Sequence, residues 1–99
     1  MRVSVSSPSA TISPQILAYA EYRLFAALAR YAGIRNARVV LDEAEGGVRC
    51  SVAIDFESAS PARARVTGLH AAGTIDRAAE RVVQLMRRRL QPDTAAASS

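Results

Sequence analysis

Ninety-nine residues confine the chain to one domain with a single modest core, and an apolar fraction of 49% argues that it folds. The net charge is +4 and all thirteen cationic side chains are arginine, which favours nucleic acid or another anionic surface as partner. The lone Cys50 excludes an internal disulfide. With no apolar run of about 18 residues and no signal-peptide core, a cytoplasmic chain without a membrane span is expected.

Met1 to Ser6 alternates, with Val3 and Val5 on one side and Arg2, Ser4 and Ser6 on the other, as a half-buried strand does. Ser7-Pro8-Ser9-Ala10 breaks it. Ser13-Pro14 is a helix start: serine caps the free N–H groups, and proline suits the first helical position. The spacing predicts a helix from Pro14 to about Tyr31. Leu17, Ala20, Leu24, Leu28 and Tyr31 form its apolar side, Phe25 and Ala27 flank them, and Tyr19, Arg23 and Arg30 share the opposite side. Gly33 stops it.

Asn36 to Glu45 reads as a strand with Ala37, Val39 and Leu41 facing one way, and Glu45-Gly46-Gly47 as a hairpin turn. Val48 to Glu57 follows, with Cys50, Val52, Ile54 and Phe56 inward and Arg49, Ser51, Ala53 and Asp55 outward. After the turn at Ser58 to Pro61 comes a short strand, Ala62 to Thr67, with Arg63 and Arg65 on its open face.

The last helix, beginning near His70 or Ala71, organises the rest. At about 100° per residue, Ile75, Ala79, Val82, Met86 and Leu90 fall on one side, widened by Val83 and Leu85. Arg77, Arg81 and Arg88 stack on the far side. Pro92 closes the domain, and 92–99 reads as a disordered tail. The order β-α-β-β-β-α gives an α+β fold: a four-stranded sheet with both helices packed on one face.

The run EYRLFAALARYAGIRNARVVL, the Gly-Gly turn, VRC with its strand, and GTIDRAAERVVQLMRRRL resemble the ribosome hibernation-promoting factors, also called ribosome-associated translation inhibitors. The resemblance covers about Met1 to Gln91. The family's Ala-Ile-Asp-x-Ala segment, ahead of a basic amphipathic helix, corresponds to Thr74-Ile75-Asp76-Arg77-Ala78. Its Gly-Gly-x-Asp-Lys-Arg-Cys run corresponds to Gly46-Gly47-Val48-Arg49-Cys50, shortened by two residues. The basic turn is thus reduced to Arg49. The aromatic common near the start of the family's last helix has no counterpart, with His70 and Ala72 nearby.

The resemblance implies a β-α-β-β-β-α domain similar to double-stranded-RNA-binding domains. It also implies a non-enzymatic protein that occupies the mRNA and tRNA channel of the small ribosomal subunit, against 16S rRNA, and holds the ribosome idle. The family's dimerising C-terminal domain has no counterpart in these residues. The alternative is a protein-interaction or homodimerising module that keeps this fold without ribosome binding, using the open sheet face or an edge strand.

Arg77, Arg81, Arg87, Arg88 and Arg89 are candidates for rRNA phosphates. The plain alternative is a solvated face, partly neutralised by Asp76 and Glu80 and favoured by the helix dipole at Arg87 to Arg89. Tyr19 between Arg23 and Arg30 offers an aromatic for a base, or is an ordinary half-exposed tyrosine. Arg38, Arg49, Arg63 and Arg65 form a basic platform or pair with Asp42 and Asp55 across strands. His70 and Cys50 make no metal site, no catalytic group is recognisable, and no cofactor is expected.

Overall fold

The computed structural model describes residues 1–90, except the side chain of Leu90. The expected tail at 92–99, and Leu90's place in the apolar stripe, lie outside the described residues. Six elements follow one another: β1 (Arg2–Ser6), α1 (Pro14–Leu28), β2 (Ile34–Ala44), β3 (Gly47–Phe56), β4 (Ala62–Gly68) and α2 (Ala71–Leu90). This is the expected β-α-β-β-β-α order. The strands form one mixed sheet in the order β1-β2-β3-β4. β1 runs parallel to β2, so α1 is the crossover between them, and the other pairings are antiparallel.

Period-two alternation decides which sheet face is covered. Val3, Ala37, Val39, Leu41, Cys50, Val52, Ile54 and Ala62 belong to one buried cluster. The intervening residues, among them Ser4, Arg38, Arg49, Ser51, Arg63 and Arg65, form the open face. α1 packs over β1 and β2, while α2 packs over β3 and β4 and against α1. From α2, Ile75, Ala78, Val82 and Met86 complete the cluster, all fully buried. Cys50 lies in this core, and burial pushes its thiol up to about 11.

The Ser13 cap is observed: its hydroxyl accepts from the Ile16 backbone N–H at 3.2 Å, with Pro14 in the first turn. α1 ends at Leu28, three residues before the expected limit. The Ala29 N–H donates to the Phe25 carbonyl at 2.9 Å, and the Tyr31 N–H closes a tighter turn on the Leu28 carbonyl at 3.0 Å. The chain then turns through Gly33, at φ +83°, into β2, which starts early enough for Ile34 to join the core. Phe25 is corrected from the apolar flank of α1 to its outer side, where it is half exposed.

At the β2–β3 hairpin Gly46 takes φ +74°, a conformation open to glycine at little cost. Gly47 serves a different purpose. A Cβ there would run into the backbone carbonyl of Gly68, which pairs nearby at the end of β4. A Cβ on Gly68 would in turn meet the side chains of Thr74 and Arg77. These two glycines let the β3–β4 end close against the first turns of α2. At the opposite side of β2, Glu43 accepts hydrogen bonds from the Thr11 and Ser9 hydroxyls, which ties down the loop between β1 and α1.

Val82 is fully buried at the centre of the helix–sheet contact. Val82→Asp places an unpaired carboxylate there and should cost about 4 kcal/mol or more, enough to unfold a domain of this size. Circular dichroism during thermal melting should show no cooperative transition. A Val82→Asp chain that melts like the parent contradicts this placement of α2.

Candidate nucleic-acid interface

The two helices lie side by side, and one short network fixes how they meet. The Tyr19 hydroxyl donates to Asp76 Oδ1 at 2.6 Å, and Arg23 Nε donates to the same oxygen at 2.9 Å. The hydrogen bonds from Tyr19 and Arg23 hold the Asp76 carboxyl below the usual carboxylate range, and the bond to Asp76 raises the Tyr19 phenol above its own. The α1 residues of this network sit four apart, on one side of the helix. Tyr19 and Arg23 therefore face α2 and do not point away from the core, as the sequence spacing had suggested, and Arg30, two residues past the end of α1, is exposed on the same side. Tyr19 is half-buried, and its hydroxyl is engaged within the protein.

Beyond the network the helices part to form an open groove of about 380 Å³. Arg23 of α1, Arg30 in the turn just past its end and Arg87 of α2 line it, over a floor that includes Ala26, Ala79 and Val83. Glu80 is the one carboxylate on its wall among the described residues. Thus three of the arginines singled out in the sequence meet in one place, although 64 positions separate Arg23 from Arg87 along the chain.

The remaining arginines divide by what they touch. Arg81 and Arg88 are exposed, with no ion pair among the described residues. Arg77 stands in the same row and donates to the Thr67 carbonyl at 3.2 Å, which fastens α2 to β4. Arg89 folds back over the β3–β4 turn. It donates to the Ser60 carbonyl and, at 3.0 Å, to the Pro61 carbonyl, with its guanidinium 5.0 Å from the Phe56 ring centroid. Its charge thus stands over a turn of the protein itself.

On the open sheet face, Arg49 stands opposite Asp42 with an N–O distance of 3.7 Å, and Arg38 reaches Asp55 at 3.9 Å. Arg63 and Arg65 have no carboxylate partner among the described residues and, with Arg38, line a shallow trough of about 680 Å³ that also includes Ser4, Ser6 and Ser51. This face is mixed: two of its arginines are neutralised across strands, and two are free.

Sequence reasoning missed two residues. Tyr22 and Phe25 are 69% and 49% exposed on the outer side of α1. The helical angle carried the signal, since both point away from Ala20 and Leu24, which are fully buried. No group of three His, Cys, Asp or Glu side chains among the described residues is placed to hold a metal ion. No described helix is long and apolar enough to cross a membrane.

No family model and no curated protein matches the chain. Solved structures do. A ribosomal subunit interface protein from Coxiella burnetii superposes with a TM-score of 0.79 at 13% identity, over 90% of this chain and 97% of that one. The N-terminal domain of Protein Y from Thermus thermophilus superposes with a TM-score of 0.69 at 23% identity, over 88% and 93%. The chain has their fold. The α+β architecture that the resemblance to hibernation-promoting factors implies is the one observed, over nearly the whole described chain.

The Asp76 network makes a pH prediction. Asp76 has a folded pKa below its unfolded value of roughly 3.9, so its contribution is fully present above that value and fades as pH falls through the folded pKa. The pair is half-exposed, so Asp76→Asn should lower stability by at most about 1 kcal/mol at pH 7. Below about pH 4 the parent and variant melting temperatures should converge. A gap that stays constant down to about pH 2.5, well below the unfolded value, would sink the ionic account of the network.

Proposed function

We propose that this chain is a non-enzymatic ribosome-binding protein that occupies the decoding channel of the small subunit and inhibits translation. The observation that carries this reading is the set of exposed arginines on α2 and just past the end of α1, in a fold shared with a ribosomal subunit interface protein. The 16S rRNA of the small subunit is the partner, and phosphate is the group recognised. Arg30, Arg81, Arg87 and Arg88 stand on the helix layer free of carboxylate partners among the described residues. A guanidinium gives a phosphate two parallel hydrogen bonds, and each phosphate it neutralises releases condensed counterion. Inhibition then needs no chemistry. A rigid domain seated where mRNA and tRNA run excludes both.

Arg38 and Arg49 have a lesser part here, because their cross-strand carboxylates already offset their charge. Arg63 and Arg65 extend the positive field around the β4 edge. Dimerisation through the open sheet face has less support. Among the exposed large hydrophobic side chains of the described residues, only Val40 lies on that face.

The test is co-sedimentation with small subunits over a salt series. Binding should weaken steadily with salt. Replacing Arg77, Arg81 and Arg88 with glutamine keeps helix propensity and leaves the buried stripe intact, so the variant should fold. Its slope of log affinity against log salt should flatten by up to roughly two units, one each for the phosphates of Arg81 and Arg88, because Arg77 is engaged by the Thr67 carbonyl. If the folded triple variant keeps the parent's affinity and slope, the outer row of α2 is only solvated. If the parent binds no ribosome at any salt, the proposal fails.

A further inference from the structure

We propose that the groove between α1 and α2 binds a single-stranded RNA segment, with phosphates on Arg30 and Arg87 and a base stacked on Tyr22. This rests on the reading of the partner as rRNA and names the form of RNA that the groove takes.

Arg30, two residues past the end of α1, and Arg87 of α2 stand on opposite walls of the groove, so a backbone threading it meets cations on both sides. The floor of Ala26, Ala79 and Val83 is small and apolar, which keeps the groove open. Two carboxylates belong to its surroundings. Asp76 is committed to Tyr19 and Arg23, leaving Glu80 alone against Arg30 and Arg87.

Tyr22 is 69% exposed and stands one helical turn before Ala26, which lies on the groove floor. Phe25, in the next turn, extends the same exposed surface. An aromatic face beside a track of guanidinium groups is the arrangement that binds unpaired nucleotides, since any base can stack and the backbone supplies the charge. In a duplex the bases are already stacked on one another, which leaves no free base face for Tyr22 to meet. Tyr19, the aromatic first singled out, is held by Asp76, whereas Tyr22 is free to present its ring.

The experiment is fluorescence anisotropy with the full chain, using a labelled unstructured RNA of about twelve nucleotides and the duplex of the same sequence. The single strand should bind more tightly than the duplex. Tyr22→Ala should weaken single-strand binding at least about fivefold with an unchanged salt slope, because stacking carries no counterion. Arg30→Gln should weaken binding and flatten the slope by about 0.7 unit. Arg35→Gln, exposed on β2 and outside the groove, should match the parent, and circular dichroism should show all three variants folded. Tighter binding of the duplex overturns the proposal, as does a Tyr22→Ala chain with the parent's affinity. So does a Tyr22→Ala, Phe25→Ala variant that turns a dimer into a monomer while keeping RNA affinity, because the aromatic pair is then a contact between copies of the chain. Ribosome co-sedimentation in parallel separates the two readings: parent chain that binds ribosomes but no single strand refutes the groove alone.

Discussion

The burial of one side of α2 against β3 and β4 is the contact on which the rest of the structure depends. A four-stranded sheet leaves two faces, and only one is polar enough to stand in water. Ile75, Val82 and Met86 are fully buried, and each such side chain contributes roughly 1.5–3 kcal/mol on leaving solvent. With that side committed to the core, the angular order of the helix assigns every other α2 residue. Asp76 and Arg87 fall toward α1, and Arg77, Arg81 and Arg88 fall toward the β4 edge. The charge pattern of the surface is thus a consequence of the apolar pattern beneath it.

Two further constraints set the position of α2. The closely approaching glycines Gly47 and Gly68 allow the sheet to close on its first turns, where a Cβ would strike backbone or the side chains of Thr74 and Arg77. The Asp76 network holds α1 at the other flank. Together they bring Arg23, Arg30 and Arg87 to one groove. They also separate arginines by role, since Arg77 and Arg89 bond to backbone carbonyls of β4 and of the turn before it. A count of positive residues treats all of these alike, whereas the structure leaves only some free to meet an anion.

Much of the fold was legible because it depends on local periodicity. Alternation in β1 to β4, the Ser13-Pro14 start and the α2 stripe each follow from residues close in sequence, and each is observed. The end of α1 was read too late, since an apolar Tyr31 continued the helical pattern while the chain was already turning down to β2. The candidate site was legible only in composition. The bond from Tyr19 to Asp76 spans 57 positions, and no spacing rule within a helix announces it. Cross-strand pairing of Arg49 with Asp42 was legible, because strand register places them opposite one another. The outward turn of Tyr22 and Phe25 was readable from helical angle.

The central claim is that the helix layer, and not the open sheet face, meets ribosomal RNA. Electron cryo-microscopy of the chain bound to small ribosomal subunits tests it most directly. The account predicts density for the domain in the decoding channel, with α1 and α2 against rRNA and phosphates within ion-pair distance of Arg30, Arg87 and Arg88. Density showing the sheet face buried against the subunit and both helices turned to solvent would contradict it.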